Sequence, residues 1–183
     1  MCKDIRTRPS LLLHTCCGPC STAVLERLAD DFRVTLYFYN PNLDTEAEHT
    51  RRLEAQQTVA AYFGAELLTA PYDPDQFTSV TQGLEHEPEG GSRCASCFTR
   101  RLEETARLAK ERELAYFTTT LSVSPHKNAD LLNEIGTRLG EQYGIRYLTA
   151  DFKKQDGYRR SVALAKELGL YRQTYCGCQH SLR

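Results

Sequence analysis

Strand and helix signals alternate about five times along this chain, and few architectures satisfy that rhythm. Residues 11–15 read as a buried strand that Gly18 and Pro19 end, and residues 21–29 as a helix with Val24, Leu25 and Leu28 on one face. Residues 33–39 (RVTLYFY) are the strongest strand, rich in β-branched and aromatic side chains, and Asn40-Pro41-Asn42 is a turn. Residues 46–63 read as a helix stopped by Gly64, and 65–70 as a short strand. Further on, Phe98, Leu102, Ala106 and Ala109 space as a helix face, 115–120 as a strand, and Leu132, Ile135, Leu139 and Tyr143 as the next helix. Residues 145–149 read as a strand, and Tyr158, Val162, Ala165 and Leu168 mark a last helix before Gly169. Pro71, Pro74, Pro88, Gly83, Gly90 and Gly91 make 71–92 a loop or small helical insertion. The expected class is α/β: one domain over residues 1–183, with a parallel sheet covered by helices on both faces. In such sheets ligands bind beyond the carboxyl ends of the strands.

Composition narrows the chemistry. The 40% hydrophobic content supports a core without disulfides, and 26% charged residues mark an ordinary folded chain. Lys plus Arg is 23 against 24 for Asp plus Glu, so the net charge of −1 excludes a polycationic coat but leaves room for a local basic patch. No apolar run approaches the roughly 18 residues of a membrane span. The charged start, with only Leu11, Leu12 and Leu13 before His14, is not a secretory leader. A cytoplasmic protein without membrane contact is expected.

Eight cysteines are unusual for a chain in a reducing compartment, where close spacings point to metal or redox chemistry. Seven fall in three groups: Cys16, Cys17 and Cys20; Cys94 and Cys97; Cys176 and Cys178. Cys2 stands alone near the terminus and reads as incidental. The first group contains CGPC, the spacing of a thioredoxin site, where a helix N-terminus lowers a thiol pKa. No Trp precedes it, Cys16 is an extra thiol, and that reading leaves two cysteine groups without a role. Four thiolates suit a structural zinc or an iron–sulfur cluster. Seven candidates exceed one tetrahedral zinc and favour a reactive centre over a staple.

The segments LLLHTCCGPC, YFYNPN, SRCASCF, FTTTLSVSPHKN, DFKKQDGY and YRQTYCGC occur in that order, from about residue 10 to the end. Together they resemble the cobalamin-independent epoxyqueuosine reductases, the QueH family. The resemblance implies a fold like the adenine-nucleotide α-hydrolase-like (HUP-like) domains of tRNA-thiolating enzymes, with the cysteine-rich site at the strand C-terminal ends. It implies reduction of epoxyqueuosine to queuosine at the wobble position of tRNAs for Asp, Asn, His and Tyr, whose anticodons have the form GUN. It also implies a [4Fe–4S] cluster, an additional mononuclear iron, and no cobalamin. The loop after the first strand, where nucleotide-binding relatives cradle pyrophosphate, carries Cys16, Cys17 and Cys20, and no SGGxDS-like stretch exists. An iron–sulfur tRNA thiolation enzyme and a zinc-stabilised RNA-binding module are the alternatives.

Turning an epoxide into an alkene needs two electrons and two protons, so a low-potential donor such as a ferredoxin or flavodoxin is expected as a partner. Cys94 and Cys97 are expected to ligate the cluster, with others from the first and third groups; the remaining thiolates hold the second iron. Spacing leaves the partition among Cys16, Cys17, Cys20, Cys176 and Cys178 open, and with it any redox pairing between Cys16 or Cys17 and Cys176 or Cys178. His14, Tyr175 and Asp73 are candidate proton donors. Each also has a plain structural reading: a satisfied strand histidine, a packed tyrosine, and a turn in YDPD. For tRNA, Arg93, Arg100 and Arg101 flank the second cysteine group, and Lys127 lies in the SPHKN loop. Lys153, Lys154, Arg159 and Arg160 surround a stretch, Gln155-Asp156-Gly157, that reads as flexible. These would contact phosphates, or simply form solvated helix faces. Tyr39, Phe98 and Tyr158 are available to stack a flipped base, and Asn40 and Asn42 lie at a strand end where ligands bind.

Overall fold

Leu11, Leu12 and Leu13 are fully buried, and a strand sends neighbouring side chains to opposite faces, so this strand needs apolar cover on both sides. The computed structural model describes residues 7–181, which leaves Cys2 outside the described residues. Strands β1 (Ser10–Thr15), β2 (Arg33–Phe38), β3 (Glu66–Thr69), β4 (Tyr116–Thr119) and β5 (Arg146–Tyr147) form one sheet in the order β3-β2-β1-β4-β5. Every pairing is parallel. The helices are α1 (Gly18–Leu28), α2 (Glu46–Phe63), α3 (Asp75–Thr81), α4 (Ser92–Glu111), α5 (Ala129–Tyr143) and α6 (Gly157–Glu167).

On one face, Leu11, Leu13 and Leu36 pack with Val24, Leu25 and Leu28 of α1 and with Val59 and Ala60 of α2. On the other, Leu12 and Phe117 pack with Phe98, Leu102, Ala106 and Ala109 of α4 and with Leu132, Ile135 and Leu139 of α5. Each fully buried leucine contributes about 1.5–3 kcal/mol. The α/β class, the parallel sheet and the two helical layers are as the sequence predicts.

Boundaries differ in informative ways. α1 begins at Gly18, not at residue 21, because Pro19 has no amide hydrogen to lose in a first turn and its fixed φ suits helix entry. α4 begins at Ser92, which puts Cys94 and Cys97 on a helix. Within 71–92, expected as a loop or small helical insertion, Asp75–Thr81 is helical. β5 is shorter than the sequence implies. Past Tyr147 one backbone bond remains, from the Leu148 amide to the Phe117 carbonyl at 2.9 Å, and the Thr118 hydroxyl then takes over by donating to the Leu148 carbonyl at 2.8 Å.

After α6 the chain returns across the start of α2, where a buried ion pair receives it. Arg52 Nε donates to Glu48 Oε1 at 2.6 Å, and both side chains are almost wholly buried. The other Glu48 oxygen accepts from the Tyr171 hydroxyl at 2.8 Å. The Arg52 guanidinium also donates to the carbonyls of Cys176 (3.0 Å) and Tyr175 (3.3 Å). The Tyr175 hydroxyl donates to Asp44 at 2.8 Å, and the Asp44 amide donates to the Gly177 carbonyl at 2.9 Å. One arginine therefore ties α2 to the loop that carries the last two cysteines.

Removing one partner of a buried pair leaves the other charge uncompensated, which costs about 3–5 kcal/mol. Arg52→Ala should lower stability by about that amount in urea unfolding. The double variant Glu48→Gln/Arg52→Met should lose less than Arg52→Ala alone; an equal or larger loss would contradict the pairing. A second prediction concerns acid. Burial against the rings of Phe38 (5.1 Å) and Tyr72 (5.3 Å) lowers the His49 pKa, while Glu46 opposes it. Below about pH 6.5 the unfolded chain binds a proton that folded His49 resists, so stability falls as pH falls, by at most about 1.4 kcal/mol per unit for this group. His49→Leu should reduce the drop in urea midpoint between pH 7.5 and 5.5, and an unchanged drop would remove His49 from the account.

Candidate metal centre

β1 lies between β2 and β4, so the connections leaving its neighbours diverge, and a crevice opens at its carboxyl end. The first residues past β1 are Cys16 and Cys17, and Cys20 follows in the first turn of α1. The three sulfurs lie within 4.8 Å of one another. Cys16 and Cys17 are buried and Cys20 is half-buried. Cys16 Sγ and Cys17 Sγ lie 3.7 Å apart, and Gln173 Nε2 donates to Cys17 Sγ at 2.9 Å. Hydrogen bonds from Cys17 and Cys20, with the charges of Arg101 and Lys127, hold the Cys16 thiol well below its ordinary value despite burial. Cys17 is pushed up to about 12, first by its bond to Cys16. The triad alone therefore accommodates one thiolate readily.

The other four thiols form a second neighbourhood. Cys94 and Cys97 sit one turn apart in the start of α4, and the Gly90 amide donates to Cys94 Sγ at 3.2 Å. Cys97 and Cys178 pack together with Phe77. Burial first, then the nearby Cys176 and Cys178, raise the thiol of Cys94. Burial first also raises that of Cys97, to about 12, with Arg101 opposing and Cys176 and Cys178 adding. Gly177 links Cys176 to Cys178 with φ +114°, and a Cβ there would run into Leu43 and meet Arg52 Nη2 at 3.0 Å. Only glycine lets both cysteines turn inward at this point. Cys176 borders the same cavity of about 230 Å³ as Cys16 and Cys20.

Positive charge threads between the two groups. Arg101 is 1% exposed; its Nη2 donates to Asn40 Oδ1 at 2.5 Å, and its Nε lies 3.3 Å from His14 Nε2. Arg52, Arg101 and Lys127 all border the cavity. Burial disfavours the Lys127 ammonium, but the sulfurs of Cys176, Cys16 and Cys20 outweigh it and raise its pKa. Soft sulfur donors, mostly buried and charge-balanced by fixed cations, suit iron and iron–sulfur ligation.

The proton-donor candidates separate. His14 is fully buried; Nδ1 bonds Thr119 Oγ1 at 2.9 Å and Nε2 bonds the Tyr39 carbonyl at 3.0 Å. Burial first, then Arg101, pushes it down to about 3, so it stands as a neutral, satisfied ring. Asp73 lies in a different pocket with Tyr39 and Arg100, where it accepts from Gln76 at 2.7 Å. Tyr175 borders the cysteine cavity, its ring 5.5 Å from the Arg52 guanidinium carbon.

Several of the expected RNA contacts lie away from the open surface: Tyr39, Asn40, Asn42, Phe98, Arg93 and Arg101 are all buried, Arg101 at the cysteine cavity and Tyr39 at the pocket of Asp73. Asn40 Nδ2 donates to the Thr15 carbonyl at 2.9 Å and clips β1 to β2. Arg93 donates to the carbonyls of Leu84, Glu85 and Glu87 and holds the turn before α4. Arg100 is half-buried on Gln76 and Glu103. Arg160 is engaged by Glu26 at 2.7 and 2.9 Å, and Lys153 by Asp151 at 3.0 Å. Lys154 and Arg159 remain exposed. Sequence reasoning missed Arg52, Glu48, Arg172 and Gln173. Only the Glu48/Arg52 spacing of four residues offered a signal, and it reads equally as a surface pair.

Comparison with known proteins gives the family and the fold. The family model described as Epoxyqueuosine reductase QueH matches residues 11–183. A protein named epoxyqueuosine reductase QueH from Streptococcus pyogenes serotype M1 is 43% identical over 96% of this chain and 71% of its own length. One of the same name from Thermotoga maritima is 36% identical over 94% of this chain and 90% of its own. Among solved structures, the fold resembles the U34-tRNA thiolase NcsA of Methanococcus maripaludis, a structure described with its [4Fe-4S] cluster. That match has TM-score 0.59 at 12% identity and covers 98% of this chain and 63% of the other. It also resembles a predicted subunit of tRNA methyltransferase from Methanocaldococcus jannaschii, with TM-score 0.56 at 16% identity, covering 87% and 75%. These two likenesses establish the HUP-like fold. With a family match over nearly its whole length and relatives at 36–43% identity, this chain belongs to the epoxyqueuosine reductase QueH family and is an oxidoreductase of queuosine formation.

Proposed function

We propose that this chain acts on epoxyqueuosine at the wobble position of tRNAs with GUN anticodons, using a [4Fe–4S] cluster and a mononuclear iron held by its seven clustered cysteines. One observation carries the reading: Cys16, Cys20, Cys176 and Lys127 border a single cavity at the carboxyl end of β1. The reaction balances as epoxide plus two electrons and two protons giving alkene and water. Two C–O bonds are lost, and the oxygen leaves with both protons.

The two cysteine neighbourhoods suggest a division. Two thiolates on one tetrahedral ion, each about 2.3 Å from it, lie about 3.8 Å apart. The sulfurs of Cys16, Cys17 and Cys20, all within 4.8 Å of one another, are near that spacing and suit the single iron. Cys94, Cys97, Cys176 and Cys178 supply the four thiolates of a cluster. Bound there, the metals supply electrons singly at low potential and Lewis acidity toward oxygen. No cobalamin is required.

The side chains around the cavity handle proton and position. Lys127 Nζ holds a proton beside the cavity and passes it to the departing oxygen, and its fixed charge favours the negative charge developing there. Tyr175 borders the same space, but its hydroxyl proton points at Asp44, so its part is to orient the Cys176 loop. Arg52 holds that loop from behind through the Tyr175 and Cys176 carbonyls. Exposed Lys154 and Arg159 contact RNA phosphates, which makes binding salt-dependent. A ferredoxin- or flavodoxin-type protein supplies the electrons. No described helix is long and apolar enough to cross a membrane, and a tRNA substrate fits a cytoplasmic setting.

Protein purified without oxygen should contain about four acid-labile sulfides per chain, with iron in excess of sulfide. It should convert epoxyqueuosine in tRNA to queuosine under a low-potential reductant. Stoichiometric zinc without sulfide in such protein would overturn the reading. Lys127→Met should lower kcat by about 10²–10⁴-fold while leaving iron, sulfide and tRNA affinity in place; an unchanged kcat would remove Lys127 from the proton path.

A further inference from the structure

Among the described residues two large apolar side chains stand exposed: Tyr62 at 60% and Tyr158 at 43%. Tyr158 borders the cysteine cavity and Tyr62 does not. Of the three aromatics the sequence offered for stacking, Tyr39 and Phe98 are buried, which leaves Tyr158 alone at the mouth. Around the same opening lie Pro125, His126 and Arg172.

The backbone that presents Tyr158 is a turn tied to the rest of the fold by hydrogen bonds. Gln155 (φ 53°) and Asp156 (φ 59°) both adopt the left-handed conformation that non-glycine residues avoid, and they do so consecutively just before α6. Such strain persists only where the surroundings over-determine it. Here Arg27 of α1 donates to the carbonyls of Lys154 (2.5 Å) and Gln155 (2.8 Å). The turn closes so tightly that a Cβ on Gly157 would overlap the Phe152 carbonyl. The Phe152 amide is in turn bonded to Ser122 Oγ at 3.2 Å, and the Tyr158 carbonyl accepts from Ser161 Oγ at 2.7 Å. An exposed ring on a rigid, strained mount beside a cavity is poorly explained by core packing. It suits a flat partner.

We infer that Tyr158 is a nucleobase-stacking platform: it receives a base of the single-stranded anticodon loop next to the nucleotide that enters the cavity. The inference rests on the proposal that tRNA approaches this mouth. Unstacked loop bases present a π-face to any aromatic, and a neighbouring cation strengthens the contact; exposed Arg172 lines the same cavity, and exposed Lys154 lies four residues earlier in the chain. The platform fixes the depth to which the reacting nucleotide is inserted. The site therefore selects single-stranded RNA over duplex, independently of any hydrogen bond to the modified base.

The chain contains no tryptophan, so Tyr158→Trp creates a single fluorescent reporter, and Tyr62→Trp is its control. Titrated with an anticodon stem-loop RNA, full-length protein carrying Tyr158→Trp should show saturable quenching, and Tyr62→Trp should not. Tyr158→Ala should weaken binding and raise KM by about 5–150-fold, with a smaller change in kcat. Tyr158→Phe should keep wild-type values. Wild-type iron and sulfide contents in each variant will show that the centre has assembled. Unchanged RNA affinity in Tyr158→Ala, or quenching by a ferredoxin and not by RNA, would overturn the platform while leaving the reductase intact. No RNA binding by the wild-type protein would overturn the platform together with the proposal beneath it.

Discussion

Arg101 is a permanent cation almost without water, and the site depends on how that charge is balanced. Its Nη2 donates to the neutral Asn40 amide oxygen, its Nε lies 3.3 Å from the neutral His14 ring, and it also hydrogen-bonds the ionisable Cys97 sulfur. A buried guanidinium without a compensating negative charge is costly, by several kcal/mol even after relaxation. The compensation lies in sulfur. Arg101 acts favourably on the Cys16 and Cys97 thiolates, one from each cysteine neighbourhood. The fold thus carries a built-in demand for negative sulfur, which thiolates bound to metal would meet and protonated thiols would not.

The same guanidinium explains why His14 stays neutral. A cation beside a buried ring disfavours a second positive charge, and desolvation acts in the same direction. His14 then serves as a spacer with both nitrogens satisfied, fixing the end of β1 against β2 and β4. Asn40, two residues past the end of β2, does similar work with the Thr15 carbonyl. The polar residues at the strand ends form a scaffold that sets where Cys16 begins. They were attractive as ligand contacts because strand ends bind ligands, but here the strand ends bind each other.

How much of this was legible in the sequence follows from the range of the forces. The fold was readable, because residues 11–13 and the face of Leu102, Ala106 and Ala109 report burial through local periodicity. The α2 boundaries coincide with Glu46–Phe63 because Thr45 caps the start and Gly64 ends it. The three cysteine groups were readable as a set, yet their division depends on the return of the C-terminal segment across α2, a long-range event. Arg93 and Arg101 illustrate the opposite failure. Arginine in a polar helix suggests solvent, and nothing within a few residues announces that three carbonyls, or an asparagine and a histidine from distant strands, will enclose it. The turn at Gln155 and Asp156 is a related case: the hydrogen bonds to the carbonyls of Lys154 and Gln155 come from Arg27, more than a hundred residues earlier.

The position of the thiols shows how one fold supports a different chemistry. In a parallel sheet of this kind the crevice at the carboxyl end of the central strand favours anions, because a helix N-terminus points into it. Nucleotide-binding relatives meet that field with phosphate, held by backbone amides that Gly and Ser leave open. This chain keeps the field but fills the loop with Cys16, Cys17 and Cys20, and it brings four basic side chains (Arg52, Arg101, Lys127 and Arg172) to the same cavity. The anion the crevice favours is then the thiolate itself. The same site takes in residues 172–176, which Arg52 anchors to α2 through the Tyr175 and Cys176 carbonyls. What it offers is a small, cation-lined space over clustered sulfur, open on one side where Tyr158 stands.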